Sequence, residues 1–226
     1  MTDPYHTDLE QFMLKRFRRI LEIGEVLPGR KILQEKIPER FKVLESLGIK
    51  NLKDLIDALK SKAKIDQFAQ KSGLPQDYLV ILRREANSYI PKPFNLDKIP
   101  GVASTHVERL AAIGIKNTQQ LCARASTRQD RAALSKLADV PGADLLELVK
   151  LSDLARINGV GPVFARLFCE AGADTLKKIA QRSPTELFAK LQAINTAKGY
   201  TKMMASLKDV AYCIETAKEL PEVIEY

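Results

Sequence analysis

Residues 157–162 read Ile-Asn-Gly-Val-Gly-Pro, and the chemistry they offer is that of the backbone. Glycine lets a chain turn tightly and brings its N–H groups close to a surface. Where such a turn runs into a helix, the first helical amides lack intrahelical partners. They also sit at the positive end of the helix dipole, which suits an anion. The expected donors are the amides of Gly159, Val160, Gly161, Val163 and Phe164, with Arg166 as the nearest cation, one turn later. A partial second copy, Ile99-Pro100-Gly101-Val102, has Ala103 in place of the second glycine. Ser104 and Thr105 follow with hydroxyl donors, and Arg109 follows them. Val140-Pro141-Gly142 is a weaker third instance.

Side-chain chemistry is sparse. The chain has two histidines, His6 and His106, and three cysteines, Cys122, Cys169 and Cys213. Widely spaced cysteines in odd number fit neither a disulfide framework nor a zinc site, so they read as reduced core residues. Without matched carboxylates or a nucleophile–base pair, no enzyme, metal, cofactor or small-molecule substrate is expected. Asp174 follows the third hairpin, but its place before a helical run reads as an N-cap. Gly159-Val160-Gly161 is not a dinucleotide fingerprint: no strand precedes it, and Phe164 stands where the third glycine belongs.

The elements that must position these turns are helices. Three segments, 33–55, 99–121 and 157–179, align with one another. Leu44, Leu110 and Phe168 coincide, as do Gly48, Gly114 and Gly172, and Gly-Ile-Lys-Asn is intact in the first two copies. At the same offset Pro75 meets Pro141 and Leu79 meets Leu145, so each long repeat contains two hairpins. The glycines fall just past apolar-periodic runs, where helices end in a left-handed residue. Asn51, Asn117 and Asp174 are expected N-caps, and Ser183-Pro184-Thr185-Glu186 an expected capping box. A short helix at 152–156 should lead into the third hairpin and one at 162–171 should lead out. An amphipathic helix carrying Leu9, Phe12, Met13, Phe17, Ile20 and Leu21 should stop near Gly24, and a last helix should cover about 200–219. No convincing strand is found.

The 226 residues are 45% hydrophobic and 28% charged, with net charge +8. That balance favours a polyanion as partner. Lys15, Arg16, Arg18 and Arg19 form one basic cluster, and Lys53, Lys60, Lys62 and Lys64 another; each reads more readily as a solvated helix face. No apolar run reaches the roughly 18 residues of a membrane helix, so no membrane partner is expected. The polar start, Met-Thr-Asp-Pro-Tyr-His, is no secretory signal, which points to the cytoplasm. Pro91-Lys92-Pro93 reads as a linker between a unit over 1–90 and a second over 94–226.

The pattern apolar-x-Gly-apolar-Gly between helices, complete at 157–161 and partial at 99–103, resembles the helix-hairpin-helix superfamily. The tandem arrangement resembles the paired-hairpin, SAM-like fold, and is similar to bacterial domain families of unknown function built from such repeats. The resemblance covers roughly 33–195. It implies an all-α fold of tandem hairpins whose amides hold DNA phosphates, often beside a Lys or Arg early in the second helix. Here Val163 and Phe164 occupy those early positions, and the first copy has Gln34-Glu35-Lys36 and no glycine. The function implied is binding to DNA or RNA backbone without sequence reading, through 101–105 and 159–166. The alternative is a non-catalytic scaffold that presents the same helices to a protein partner.

Overall fold

A computed structural model of the chain describes residues 5, 8–23 and 28–226. The described residues form thirteen α-helices and two 3-10 turns, with no strand, so the expected all-α class holds. No described helix is long and apolar enough to cross a membrane. His6 and the expected helix stop at Gly24 lie outside the described residues. The chain divides into two units, residues 8–90, and residues 91–226 together with Tyr5.

The first unit holds α1 (Leu14–Ile23), α2 (Ile37–Ser46), α3 (Leu52–Ala58), α4 (Lys62–Ser72) and α5 (Gln76–Ser88). Helix α1 starts later than its periodicity predicts. Leu14 N–H donates to the Lys50 carbonyl at 2.8 Å and Leu52 N–H to the Phe12 carbonyl at 2.9 Å. This pairing straightens residues 12–14, so Met13 lies outside the helix and 52% exposed. Phe17 fills the core between Phe41 and Tyr89, with ring centroids 6.2 and 5.6 Å away. The glycine-free turn before α2 uses Lys36 in the left-handed region, φ 49°. The lysine cluster is partly engaged, since Lys53 pairs with the Asp57 carboxylate at 2.6 Å and Lys64 donates to the Asp57 backbone carbonyl.

The second unit holds α6 (Ser104–Ala112), α7 (Thr118–Arg124), α8 (Arg128–Ala138), α9 (Gly142–Leu154), α10 (Pro162–Glu170), α11 (Leu176–Ala180), α12 (Pro184–Lys198) and α13 (Leu207–Glu219). Helix α9 packs on α7, α8 and α10, and α13 packs on α11 and α12. Leu110, Leu121, Leu145, Leu148, Phe168 and Ile214 belong to one buried cluster. The periodicity of the repeats recurs as element bounds. Leu52 and Thr118, Lys62 and Arg128, and Gln76 and Gly142 open α3 and α7, α4 and α8, and α5 and α9, a step of 66 each time. The pairing ahead of α3 recurs as well, with Leu96 N–H on the Lys116 carbonyl and Thr118 N–H on the Phe94 carbonyl.

Several helix ends match expectation and several do not. Gly48, Gly114 and Gly172 have φ of +88°, +87° and +73°, as helix-ending glycines should. Asn51 and Asn117 cap α3 and α7. Thr175, not Asp174, caps α11, because Thr175 is the residue aligned with Asn117. Ser183 and Pro184 open α12, but no side-chain bond closes a capping box there. The short helix expected at 152–156 is the tail of α9, which runs from Gly142 to Leu154. Residues 200–206 are not helical: Gly199, left-handed at φ 66°, ends α12, and a Ser206–Asp209 capping box starts α13.

Candidate functional site

The two glycine turns have the same build. Val160 N–H donates to the Ile157 carbonyl at 3.0 Å, and Val102 N–H to the Ile99 carbonyl at 3.5 Å. Gly159 and Gly101 occupy the third turn position with φ of +86° and +76°. A four-residue turn with positive φ at that position favours glycine. Ile157, Val160 and Ile99 are buried and Val102 is half-buried, so apolar anchors hold each turn while its glycine faces out. Gly161 differs: its φ is −87°, and nothing lies within 4 Å of where its Cβ would be. Neither strain nor crowding inside the chain requires a glycine there.

Each turn feeds a helix that begins without a side-chain cap. Ala103 is the N-cap of α6 and Gly161 the N-cap of α10, and neither supplies an accepting side chain. The first-turn amides, among them Thr105 on α6 and Val163 and Phe164 on α10, therefore lack the partner that a Ser or Asp cap would give. Ser104 and Thr105 are exposed, whereas Val163 and Phe164 are half-buried. Val140-Pro141-Gly142 does not repeat this turn: Asp139, left-handed at φ 51°, ends α8, and Pro141 caps α9.

The two expected cations point elsewhere. Arg166 is 6% exposed. Its Nε donates to the Pro100 carbonyl at 2.7 Å and its Nη1 pairs with Glu147. A Cβ on Gly101 would stand 3.8 Å from the guanidinium. Arg166 therefore braces α10 against the other glycine turn. Arg109 is half-exposed and pairs with the Asp139 carboxylate at 3.1 Å, away from the start of its own helix. His106 lies 3.9 Å from Asp144. Among the described residues, no group of three or more His, Cys, Asp or Glu is placed to hold a metal ion.

A pocket of about 550 Å³ opens beside the second turn, lined by Gly159, Phe164, Phe168, Met203, Met204 and Val210 among others. Cys213 also lines it, and burial pushes that thiol up to about 12, so it stays protonated at neutral pH. The far wall was not expected, because 200–206 reads as the start of a helix. Ser206-x-x-Asp209 is the signal that separates that loop from α13.

Arg156 is fully buried and pairs with Asp153 at 2.7 Å. It also donates to the Tyr5 and Pro221 carbonyls, and Tyr226 donates its hydroxyl to Asp153 at 2.9 Å. Burial and the adjoining Asp153 carboxylate push the Tyr226 phenol well above its ordinary range. The pair ties Tyr5 and the 221–226 segment to the end of α9.

Comparisons with curated proteins and with solved structures give no match. Residues 100–220, from the first glycine turn to the end of α13, match the family model described as Domain of unknown function (DUF4332). That stretch is more than half of the chain, and the chain belongs to this family.

Proposed function

We propose that this protein binds nucleic-acid backbone, DNA foremost, without reading sequence, and that its glycine turns act as paired helix-hairpin-helix grips in a SAM-like repeat. The observation that carries this reading is the duplication. Two outward-facing turns of the same build, Gly101 and Gly159 at their tips, each run into an uncapped helix. Amides so placed bind phosphate and carry no base information. Gly101, Ser104 and Thr105 form one grip, and Gly159, Gly161, Val163 and Phe164 the other; the Val102 and Val160 amides, already donated to the Ile99 and Ile157 carbonyls, hold the shape of the turns instead. Arg166 acts here as a positioning residue that sets the grips relative to one another, while Arg109, engaged by Asp139, adds no unpaired charge to them.

Gly161 provides the test. An Asp there meets no strain and no neighbour, and its carboxylate caps the α10 amides from within. Gly161→Asp should melt no lower than wild type, since Asp is at least as good an N-cap as Gly and its charge suits the dipole. It should nevertheless weaken binding to a labelled, arbitrary-sequence duplex by about tenfold, roughly one charge-assisted contact. Fluorescence anisotropy at two salt concentrations reads both affinity and salt dependence. Unchanged affinity in Gly161→Asp removes the α10 grip from the mechanism. No binding by wild type at low salt overturns the reading and favours the scaffold, with the same helices meeting a protein.

A further inference from the structure

Two features beside the second glycine turn are unexplained by a grip made of amides alone. Phe164 occupies the first turn of the helix, where a small or basic residue would serve a phosphate better. Met203, in the 200–206 loop, is 82% exposed. The pocket of about 550 Å³ accounts for both, since Phe164 and Met203 both line it. That volume lies in the range of small-ligand sites. Asn158, Gly159 and Val160 belong to the turn and to the pocket at once, so the two form one continuous surface.

The lining says what class of group fits. No lysine or arginine contributes to it, and its one carboxylate, Asp209, is engaged by the Ser206 amide and hydroxyl at 2.8 Å each. A second phosphate meets no cation in this lining. Phe164, half-buried, offers aromatic surface, with the buried Phe168 also in the lining, and Met203 offers a flexible, polarizable thioether that adapts to a flat ring. Asn158 and Tyr212, hydrogen-bonded to each other at 3.1 Å, add polar edges at the rim. An uncharged, planar group with hydrogen-bonding edges meets all of these conditions.

We propose that this pocket takes an unpaired nucleobase while the adjoining phosphate rests on the 159–164 amides. The proposal rests on the backbone-binding reading above and adds a substrate preference to it: strands with an unpaired or unstacked base over perfect duplex. Stacking of this kind is tolerant of base identity. It also has a low cost where the base is already unpaired.

The test uses three labelled oligonucleotides of one sequence: an intact duplex, the same duplex with a single bulged 2-aminopurine, and the single strand carrying 2-aminopurine. The bulged duplex should bind about tenfold tighter than the intact one, and 2-aminopurine emission should change on binding, as its stacking changes. Met203→Asp places a charge at the pocket mouth on an exposed side chain, so the fold is spared. It should erase both the preference and the emission change and leave intact-duplex affinity within about twofold. Phe164→Ala, with its melting curve checked, should also erase the preference and the emission change; Phe164 belongs to the grip as well, so intact-duplex affinity is read from Met203→Asp alone. Equal binding of intact and bulged duplex overturns the pocket proposal and leaves the backbone reading standing. A preference that survives Met203→Asp and Phe164→Ala also overturns it, since the base then sits elsewhere. Binding of none of the three overturns both.

Discussion

Asp174 illustrates what single residues do near these hairpins. Its side chain is largely buried, and Lys150 and Lys178 each donate to it at 2.6 Å. Burial alone works against its ionisation, but the two lysines outweigh that and hold the carboxyl below its ordinary value of 3.8. A carboxyl with a lowered folded-state pKa stabilises the fold above its unfolded value, and that contribution is lost as pH falls through the folded value. Asp174→Asn should therefore cost about 1 kcal/mol at pH 7, in the range of a partly screened, charge-assisted pair. The gap to wild type should narrow toward pH 3. Urea unfolding at the two pH values checks this, and an equal gap at both would show that charge is not the cause. The residue scale is also where the sequence is least legible. Gly101 and Gly159 announce themselves, because few residues adopt positive φ without strain. Arg156 and Arg166 do not, because arginine is seldom buried and their partners lie at Pro221 and Pro100, far along the chain.

Helix ends are the level at which sequence and structure agree best, for a local reason. A cap is set by three or four consecutive residues, so Asn51, Asn117 and the helix-ending glycines can be read directly. Errors arise where apolar periodicity continues past a local signal. Met203 and Met204 extend the rhythm of α13, yet Ser206 and Asp209 bond each other's backbone amides and fix the start at Leu207. Phe12 and Met13 extend the rhythm of α1, but pairing with residues 50–52 removes them from it, a contact no local pattern reveals. If the capping box holds the 200–206 loop in place, Ser206→Ala should cost about 1 kcal/mol, read as a lower Tm with the helical signal retained. Fraying of α13 to 200, seen as added helix in the variant, would instead mean that the loop is only marginally disfavoured.

For the whole molecule, the net charge of +8 says less about binding than the pairing of charges does. Arg18 is paired with Glu22, Lys53 with Asp57, Arg109 with Asp139, Arg166 with Glu147, and Lys150 and Lys178 with Asp174. These cations are already neutralised, and backbone amides release no counterions of their own. A protein that releases one counterion per neutralised phosphate loses affinity with a log–log salt slope of about −0.9 for each. Two grips assisted by a few remaining lysines should therefore give a shallow slope, about −3 for duplex DNA. A diffuse attraction that used most of the excess charge would instead give a slope of about −7. Measuring affinity across a fivefold range of salt separates the two. A slope near −3 that persists in a variant with Lys60, Lys62 and Lys64 neutralised would place the contact at the hairpins. A steep slope that collapses in that variant would place it on the α4 face of the first unit, with the glycine turns serving only to join helices.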